Sequence, residues 1–121
     1  MQNILKVFKA LSGETRLRVA NLLLERECSV CEIMQALRIS HTRASRGLTS
    51  LHNAGLLKAR RDGLWILYSI DEEGIGEYYN CLQYIIRNSL KDSTIATVDK
   101  GRLKIATRVH PCVARAKLLS S

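Results

Sequence analysis

Aromatic side chains, long apolar runs and internal repeats are scarce or missing in this chain of 121 residues. Aromatic residues make up 5% of the sequence, so we expect a core of Leu, Ile and Val. No apolar run approaches the roughly 20 residues that a membrane-spanning helix needs, and no signal-peptide pattern opens the chain. We therefore expect a folded cytoplasmic protein with no membrane partner.

Acidic residues are missing from the whole segment 38–61, although six Lys and Arg residues lie in it. Four acidic residues cluster instead within 71–77. The net charge of +8 is therefore unevenly distributed along the chain. A basic patch of one sign is the footprint expected of a surface that binds nucleic-acid phosphates. A solvated basic face is the alternative that composition leaves open.

The sequence also lacks the residue sets of an enzyme: it has no Ser/His/Asp set, phosphate-binding loop or paired acidic site. Cys28 and Cys31 have the Cys-x-x-Cys spacing of dithiol oxidoreductases, but no βαβ pattern surrounds them. Thiols in the cytoplasm are kept reduced, which argues against a disulfide framework. The close spacing therefore favours metal binding or redox chemistry.

Four helices are predicted in the first half of the chain. Apolar spacing predicts the first over residues 2–11 and the second, capped by Ser12, to about residue 26. Ser29 and Glu32 match the capping box of a short third helix that ends near residue 37. Ser40 is expected to cap the fourth, and the short turn between the last two is typical of a helix-turn-helix.

A β-hairpin is predicted next, because segments 57–61 and 64–70 flank Asp62-Gly63. Asp-Gly is the preferred pair of a type I′ turn, in which both residues need a positive φ. The residues of the second segment alternate as in a half-buried strand. The hairpin is the "wing" of a winged helix-turn-helix. Gly55 suits a left-handed end for the helix before it.

The rest of the chain is predicted to be helical. Asp71 is expected to cap a long helix over about 73–90, whose apolar stripe suits a dimer interface; packing within one chain is the alternative. A further helix is predicted over 95–109, ended by His110-Pro111.

We assign residues 1–92 to a winged helix-turn-helix DNA-binding and dimerisation domain and 93–121 to a partly helical C-terminal extension. The predicted interface residues are Ile4, Phe8, Ile75, Tyr78, Tyr79, Leu82, Ile85 and Ile86.

The first two turns of the fourth helix carry Ser, Thr and Arg side chains, which can reach bases and phosphates. Arg43 or Arg46 can bind guanine through O6 and N7. Basic residues of the wing are expected on phosphates or in the minor groove. The predicted DNA-binding residues are Ser40, His41, Thr42, Arg43, Ser45, Arg46, Lys58, Arg60 and Arg61.

This order of elements, with paired cysteines opening the helix before the DNA reader, resembles the ArsR/SmtB family of winged-helix metalloregulators, and residues 30–33 look most like its arsenical-sensing branch. The resemblance covers about residues 5–90. It implies a mainly α fold with a β-hairpin wing and a homodimer that represses an operon until a metalloid binds. The matching segments are Lys9-Ala10-Leu11-Ser12, Glu14-Thr15-Arg16-Leu17, 28–37, 40–56, and Gly63-Leu64-Trp65 with Tyr68.

The chain departs from the family at the ligands. Arsenical repressors of this type carry Cys-Val-Cys-x-x-Cys, whereas here Ser29, Cys31 and Met34 take the three positions and Cys28 lies one position earlier. The family's other metal site, for Zn²⁺, uses Asp and His on the dimer helix. No His lies in that helix here, so we expect no such site.

Both thiols of the pair lie at the start of the third helix, where free amides and the helix dipole favour thiolate. Thiolate is the form that binds soft ions. As(III) prefers three sulfurs, so Cys112 or a small thiol such as glutathione is the candidate third ligand. Alternatively, Cys28 packs against Ile33 and Cys31 packs in the core. Cys81, on the dimer helix, is expected to be a small buried hydrophobe.

About nine residues separate Cys31 from the reader, so a ligand on the thiols can disturb DNA binding. We therefore predict an arsenite-responsive repressor, with antimonite as a second inducer. It is expected to bind double-stranded operator DNA as a homodimer, to need no cofactor, and to release DNA when As(III) or Sb(III) binds. The alternatives within this fold are a thiol-redox sensor with a Cys28–Cys31 disulfide and a repressor responsive to Cd, Zn or Pb.

Overall fold

The computed structural model describes residues 2–108, with side chains from Ile4 onward. The fold is mainly helical with one antiparallel β-hairpin, as predicted. None of the described helices is long and apolar enough to cross a bilayer. The elements in chain order are α1 Gln2–Leu11, α2 Glu14–Leu23, α3 Val30–Leu37, α4 His41–Asn53, β1 Leu57–Asp62, β2 Trp65–Ile70, α5 Glu72–Ile75, a 3-10 turn Gly76–Tyr78, α6 Tyr79–Leu90 and α7 Thr94–Ile105.

The helix-turn-helix begins and ends where its capping residues predict. Ser29 and Glu32 form both hydrogen bonds of the capping box at the start of α3. The Ser40 hydroxyl accepts a 3.2 Å bond from the third amide of α4, and Gly55 follows that helix with a φ of 89°. Arg38, between the helices, has a φ of 54°, a left-handed conformation that strains any residue with a Cβ. The turn is therefore tight at a small conformational cost.

The structure differs from the prediction at the start of α2 and within the long helix predicted over 73–90. The N-cap of α2 is Gly13, with no side-chain cap, while the Ser12 hydroxyl donates to the Lys9 carbonyl at 2.6 Å and closes α1 instead. Asp71 does cap a helix, but α5 stops after four residues because Gly76 has a φ of 63°. The long helix expected over 73–90 is therefore broken, and only α6 continues as its second part.

The hairpin turn also differs from the prediction. Asp62 pairs with Trp65 as the last pair of the hairpin, so the two turn residues are Gly63 and Leu64. Only Gly63 has a positive φ, 61°. A type I′ turn requires a positive φ at both positions, whereas one at the first position alone is the pattern of type II′. The Asp62-Gly63 pair correctly predicts a turn here, but the two turn residues are Gly63 and Leu64, one position later than predicted.

Helix α7 packs across α2 and α3. Its Leu103 joins the aliphatic core, and its Asp99, 1% exposed, accepts two 2.8 Å hydrogen bonds from Arg18 of α2. The helix predicted over 95–109 ends at Ile105, and His110-Pro111 lies outside the described residues. The described part of the 93–121 extension thus shares one core with the helices before it.

Candidate ligand site and DNA-binding surface

Helix α4 has one buried and one exposed face. Ala44, Gly47, Leu48 and Leu51 are buried, which turns the polar residues of the first two turns outward. Arg43 donates a 3.0 Å bond to the Thr15 hydroxyl, which restrains the side chain at the surface. Of the residues predicted to bind DNA here, Ser40, Thr42, Arg43 and Arg46 are exposed, and His41 and Ser45 are half-buried.

The basic residues of the wing lie on two faces of β1. Lys58, Arg60 and Arg61 are all exposed, but alternate residues of a strand point to opposite sides. Lys58 and Arg60 therefore share one face and Arg61 lies on the other. Arg60 donates to both carboxylate oxygens of Glu27, at 3.1 and 2.5 Å, and this bond holds the pKa of Glu27 below its ordinary value. A phosphate at Arg60 would compete with Glu27.

Cys28 is attached to the wing through its main chain. Its amide donates to the Tyr68 carbonyl at 3.0 Å, and its carbonyl accepts from the Tyr68 amide at 2.8 Å. The side chain is fully buried within the aliphatic core. Burial raises the pKa of the Cys28 thiol to about 12. The thiolate predicted from the helix dipole was therefore wrong for Cys28, whose thiol is neutral at physiological pH in this conformation.

Cys31 lies in the first turn of α3 beside a small cavity of about 150 Å³. Its sulfur is 2.9 Å from the Ser29 hydroxyl and 3.8 Å from the Thr107 carbonyl. The cavity is also lined by the first residue of α4 and by the tip of the wing, the two elements predicted to bind DNA. The residues lining it are Ser29, Val30, Cys31, Met34, His41, Leu64, Trp65 and Ile66.

The two sulfurs thus have different surroundings: the core for Cys28 and the cavity for Cys31. No group of three His, Cys, Asp or Glu side chains is gathered for a metal ion within the described part of the chain. Cys112, the candidate third ligand, lies outside the described residues. Cys81 is exposed, so its predicted burial was wrong.

Glu32 links the start of α3 to the C-terminal segment. The carboxylate accepts bonds from Arg26, from Arg108 Nε at 2.9 Å and from the Ser29 amide at 3.0 Å. Burial disfavours its ionisation, but these bonds outweigh burial and hold the pKa of Glu32 below its ordinary value. Gln35 adds two hydrogen bonds to the backbone of Thr107, at 2.7 and 3.2 Å. These hydrogen bonds therefore hold the segment after α7 against α3.

The residues predicted to form a dimer interface fall into two groups. Phe8, Tyr78 and Ile85 are exposed, and Ile4 and Tyr79 are half-buried. Ile75, Leu82 and Ile86 are buried within the chain itself, so for these three the alternative of packing within one chain is correct. The side chains available to a second copy on α1 and α6 also include Leu5 and Tyr84.

The arrangement defines a winged helix-turn-helix DNA-binding regulator. Residues 13–59 match the family described as bacterial regulatory protein, arsR family. The winged helix-turn-helix domain of Mb0332 from Mycobacterium bovis, a homodimer described as a possible ArsR-family transcriptional regulator, is 30% identical. The two structures superpose with a TM-score of 0.61, and the match covers 76% of this chain and 82% of the Mb0332 chain. The chain belongs to the ArsR family of transcriptional regulators.

Two relatives are named for metal resistance. The cadmium resistance transcriptional regulatory protein CadC homolog of Staphylococcus aureus is 40% identical over 74 residues, which are 60% of this chain and 61% of the relative. The arsenic resistance transcriptional regulator ArsR1 of Pseudomonas putida is 43% identical over 68 residues, which are 55% of this chain and 53% of the relative. The matched segment therefore spans only between about half and three-fifths of these relatives' length.

Proposed function

We propose that the protein is a transcriptional repressor that binds operator DNA as a homodimer and releases it when As(III) or Sb(III) binds Cys28 and Cys31. The relatives named for arsenic and cadmium resistance support a response to a thiophilic element. The observation that carries the proposal is the main-chain bridge between Cys28, whose thiol is the proposed ligand, and Tyr68 of the wing.

Ligand binding moves the wing through this bridge. The sulfur of Cys28 is buried in the core, so it reaches a shared ion beside Cys31 only if residue 28 moves. That movement strains both hydrogen bonds to Tyr68 and, through the adjacent Glu27, its ion pair with Arg60. The metalloid therefore binds more tightly to a conformation with a displaced wing. A coupling of about 1–3 kcal/mol per site is typical of such linkage.

The chemistry is an exchange of oxygen for sulfur on arsenic. Arsenous acid loses one hydroxide for each thiol that binds, the thiol proton leaves with that hydroxide as water, and an As–S bond replaces an As–O bond. Arsenic stays trivalent, so no oxidant or reductant is needed. The Cys28 thiol, with its raised pKa, loses its proton only as it leaves the core for the ion. The resulting site requires no other cofactor.

Cys112 or a small thiol is proposed to supply the third sulfur. Cys112 is five residues after Thr107, whose carbonyl is 3.8 Å from the Cys31 sulfur. Five residues span up to about 17 Å when extended, so chain length allows Cys112 to reach the ion. A small thiol such as glutathione is the other source. Either one completes the three-sulfur geometry that As(III) prefers.

The DNA-bound assembly is proposed to be a symmetric dimer. The homodimeric state of Mb0332 supports it, as do the exposed Phe8, Tyr78 and Ile85. A two-fold axis through α1 and α6 would present two copies of α4 to successive major grooves, about 34 Å apart. Lys58, Arg60 and Arg61 of each wing would then contact phosphates, which makes binding strongly salt-dependent.

Operator release measured by fluorescence anisotropy tests the proposal. Arsenite and antimonite should release the wild-type protein from an inverted-repeat operator. Cys28→Ser and Cys31→Ser should each keep DNA affinity and lose the response. Cys81→Ser, which removes an exposed thiol, is the matched control and should respond normally. Cys112→Ser separates a tail ligand from glutathione.

Three outcomes of this assay contradict the proposal. A Cys28/Cys31 double variant that still releases DNA at the wild-type arsenite concentration would locate the sensor elsewhere. Release by Cd²⁺, Zn²⁺ or Pb²⁺ but not by arsenite would establish the divalent-metal alternative. Release by peroxide but not by arsenite would establish the redox alternative, which the raised pKa of Cys28 disfavours because thiolate is the reactive form.

A further inference from the structure

Tyr68 of β2 makes two contacts that lead to different parts of the molecule. Its amide donates to the Cys28 carbonyl at 2.8 Å, and its carbonyl accepts from the Cys28 amide at 3.0 Å. Its ring packs edge to face against the imidazole of His52 on α4, with ring centroids 6.2 Å apart and an angle of 83° between the planes. Favourable aromatic pairs have centroids about 4.5–7 Å apart. One wing residue therefore contacts both the proposed ligand residue and the DNA-binding helix.

The ring pair joins β2 to the last turn of α4. His52 follows the buried Leu51, so its imidazole lies beside the face that α4 packs against the core. The residue opposite Tyr68 in the hairpin is Ala59, whose small side chain leaves space beside the ring. The other strand, β1, follows α4 along the chain and packs against it. The ring pair gives β2, the strand bonded to Cys28, its own contact with α4.

We propose that the Tyr68–His52 pair transmits movement of the wing to α4, so that His52 is a positioning residue for the DNA-binding helix. The inference rests on the proposed function, in which metalloid binding displaces residue 28 and with it the main chain of Tyr68. Because the two rings stay in contact, the last turn of α4 follows β2. The displaced α4 then fits the major groove less well. Such chains of hydrogen bonds and packed side chains carry coupling between sites.

The pair should control the coupling between the two ligands and leave the affinity for arsenite alone unchanged. The coupling is the operator Kd at saturating arsenite divided by the operator Kd without arsenite. Ratios of about 5–150 are typical of coupled sites. An aromatic pair is strong enough to change such a ratio by a factor of about 2–12. We therefore expect His52→Ala to lower the coupling by a factor in this range.

The test measures both affinities in the same variants. Operator affinity is followed by fluorescence anisotropy, and arsenite binding by the fluorescence of Trp65, which lines the cavity beside Cys31 and is the one tryptophan of the chain. His52→Ala should bind arsenite as the wild type does but release the operator less. His52→Phe keeps a ring at the contact and should retain the wild-type coupling.

A double-variant cycle and a control locate the effect in the pair. Tyr68→Leu keeps the main-chain bonds to Cys28 but loses the ring, so it should lower the coupling as His52→Ala does. The double variant should lose no more than either single variant, because both changes remove one contact. Asn53 is exposed in the same turn of α4, and Asn53→Ala is the matched control that should keep the coupling.

The outcomes separate this inference from the function on which it rests. If arsenite fails to release even the wild-type protein, both are wrong. If it releases the wild type and His52→Ala with equal coupling, only the transmission through the rings is wrong. An equal loss of operator affinity with and without arsenite would make His52 a DNA contact instead, and additive losses in the double variant would show that the rings act separately. Because His52 is exposed, its variants decide the matter even where Tyr68→Leu fails to fold.

Discussion

Replacing Glu32 by Gln should destabilise the fold by about 2 kcal/mol. The carboxylate is 3% exposed and pairs with Arg26 and Arg108, whose side chains are 36% and 32% exposed. Breaking a fully buried pair costs about 3–5 kcal/mol, whereas an exposed pair contributes about 0–1 kcal/mol. The guanidinium groups here are partly hydrated, so the value lies between the two ranges. Glutamine keeps an acceptor for the Ser29 amide, so the capping box survives.

The assay is thermal unfolding followed by circular dichroism. A loss of about 2 kcal/mol lowers Tm by about 10 °C in a domain of this size. Since the folded pKa of Glu32 is lowered, its stabilisation is present above the ordinary pKa of 4.5 and is lost as the pH falls through the folded pKa. The difference in Tm between the wild type and the variant should therefore disappear in acid.

Glu25→Gln is the matched control for this measurement. Its carboxylate also pairs with two cations, Arg87 and Lys100, but its side chain is 39% exposed. We expect it to cost less than about 1 kcal/mol. If Glu32→Gln costs no more than Glu25→Gln, or if the difference in Tm stays constant from neutral pH into acid, the reasoning about the Glu32 cluster is wrong.

Three further predictions concern the turn, the thiols and the interface. Arg38→Gly should stabilise the protein by up to about 1 kcal/mol in thermal melts, because glycine relieves the positive φ; a loss of stability would contradict this. In single-cysteine variants treated with a thiol-specific disulfide reagent at about pH 8, Cys28 should react much more slowly than the exposed Cys81, because burial raises the pKa of the Cys28 thiol and thiolate is the reactive form; comparable rates would rule out a buried neutral thiol. Ile85→Glu should give monomers with little operator affinity in sedimentation and anisotropy, whereas a wild-type protein that is monomeric at micromolar concentration would refute the dimer.

The features that local chemistry controls could be predicted from the sequence. Ser29 with Glu32 and Ser40 mark helix starts because their bonds span only three residues, and Gly55 marks a helix end. The break before α6 also has a local signal, since Gly76 lies inside the apolar stripe over 73–90, although the period of that stripe alone predicts one continuous helix. The family assignment followed from the order of these local signals.

The features that depend on distant contacts could not be predicted. The position of Cys28 at a helix start predicts a thiolate. Its main-chain bonds to Tyr68, 40 positions along the chain, instead hold the residue in the core, where desolvation raises the pKa of the thiol. The Glu27–Arg60 pair joins residues 33 positions apart. The Arg108–Glu32 bond spans 76 positions. The sequence shows Glu27 next to the cysteine pair and Arg60 in the wing, but no short-range pattern predicts that the two side chains pair.

Amide hydrogen exchange at Tyr68 tests the central claim most directly. The Tyr68 amide donates to the Cys28 carbonyl at 2.8 Å, and we propose that metalloid binding disrupts this bond. Arsenite should accelerate exchange of this amide by about tenfold or more in the wild-type protein and leave it unchanged in the Cys28→Ser/Cys31→Ser variant. If arsenite releases the operator while Tyr68 remains as protected as before, the ligand does not act on the wing through Cys28.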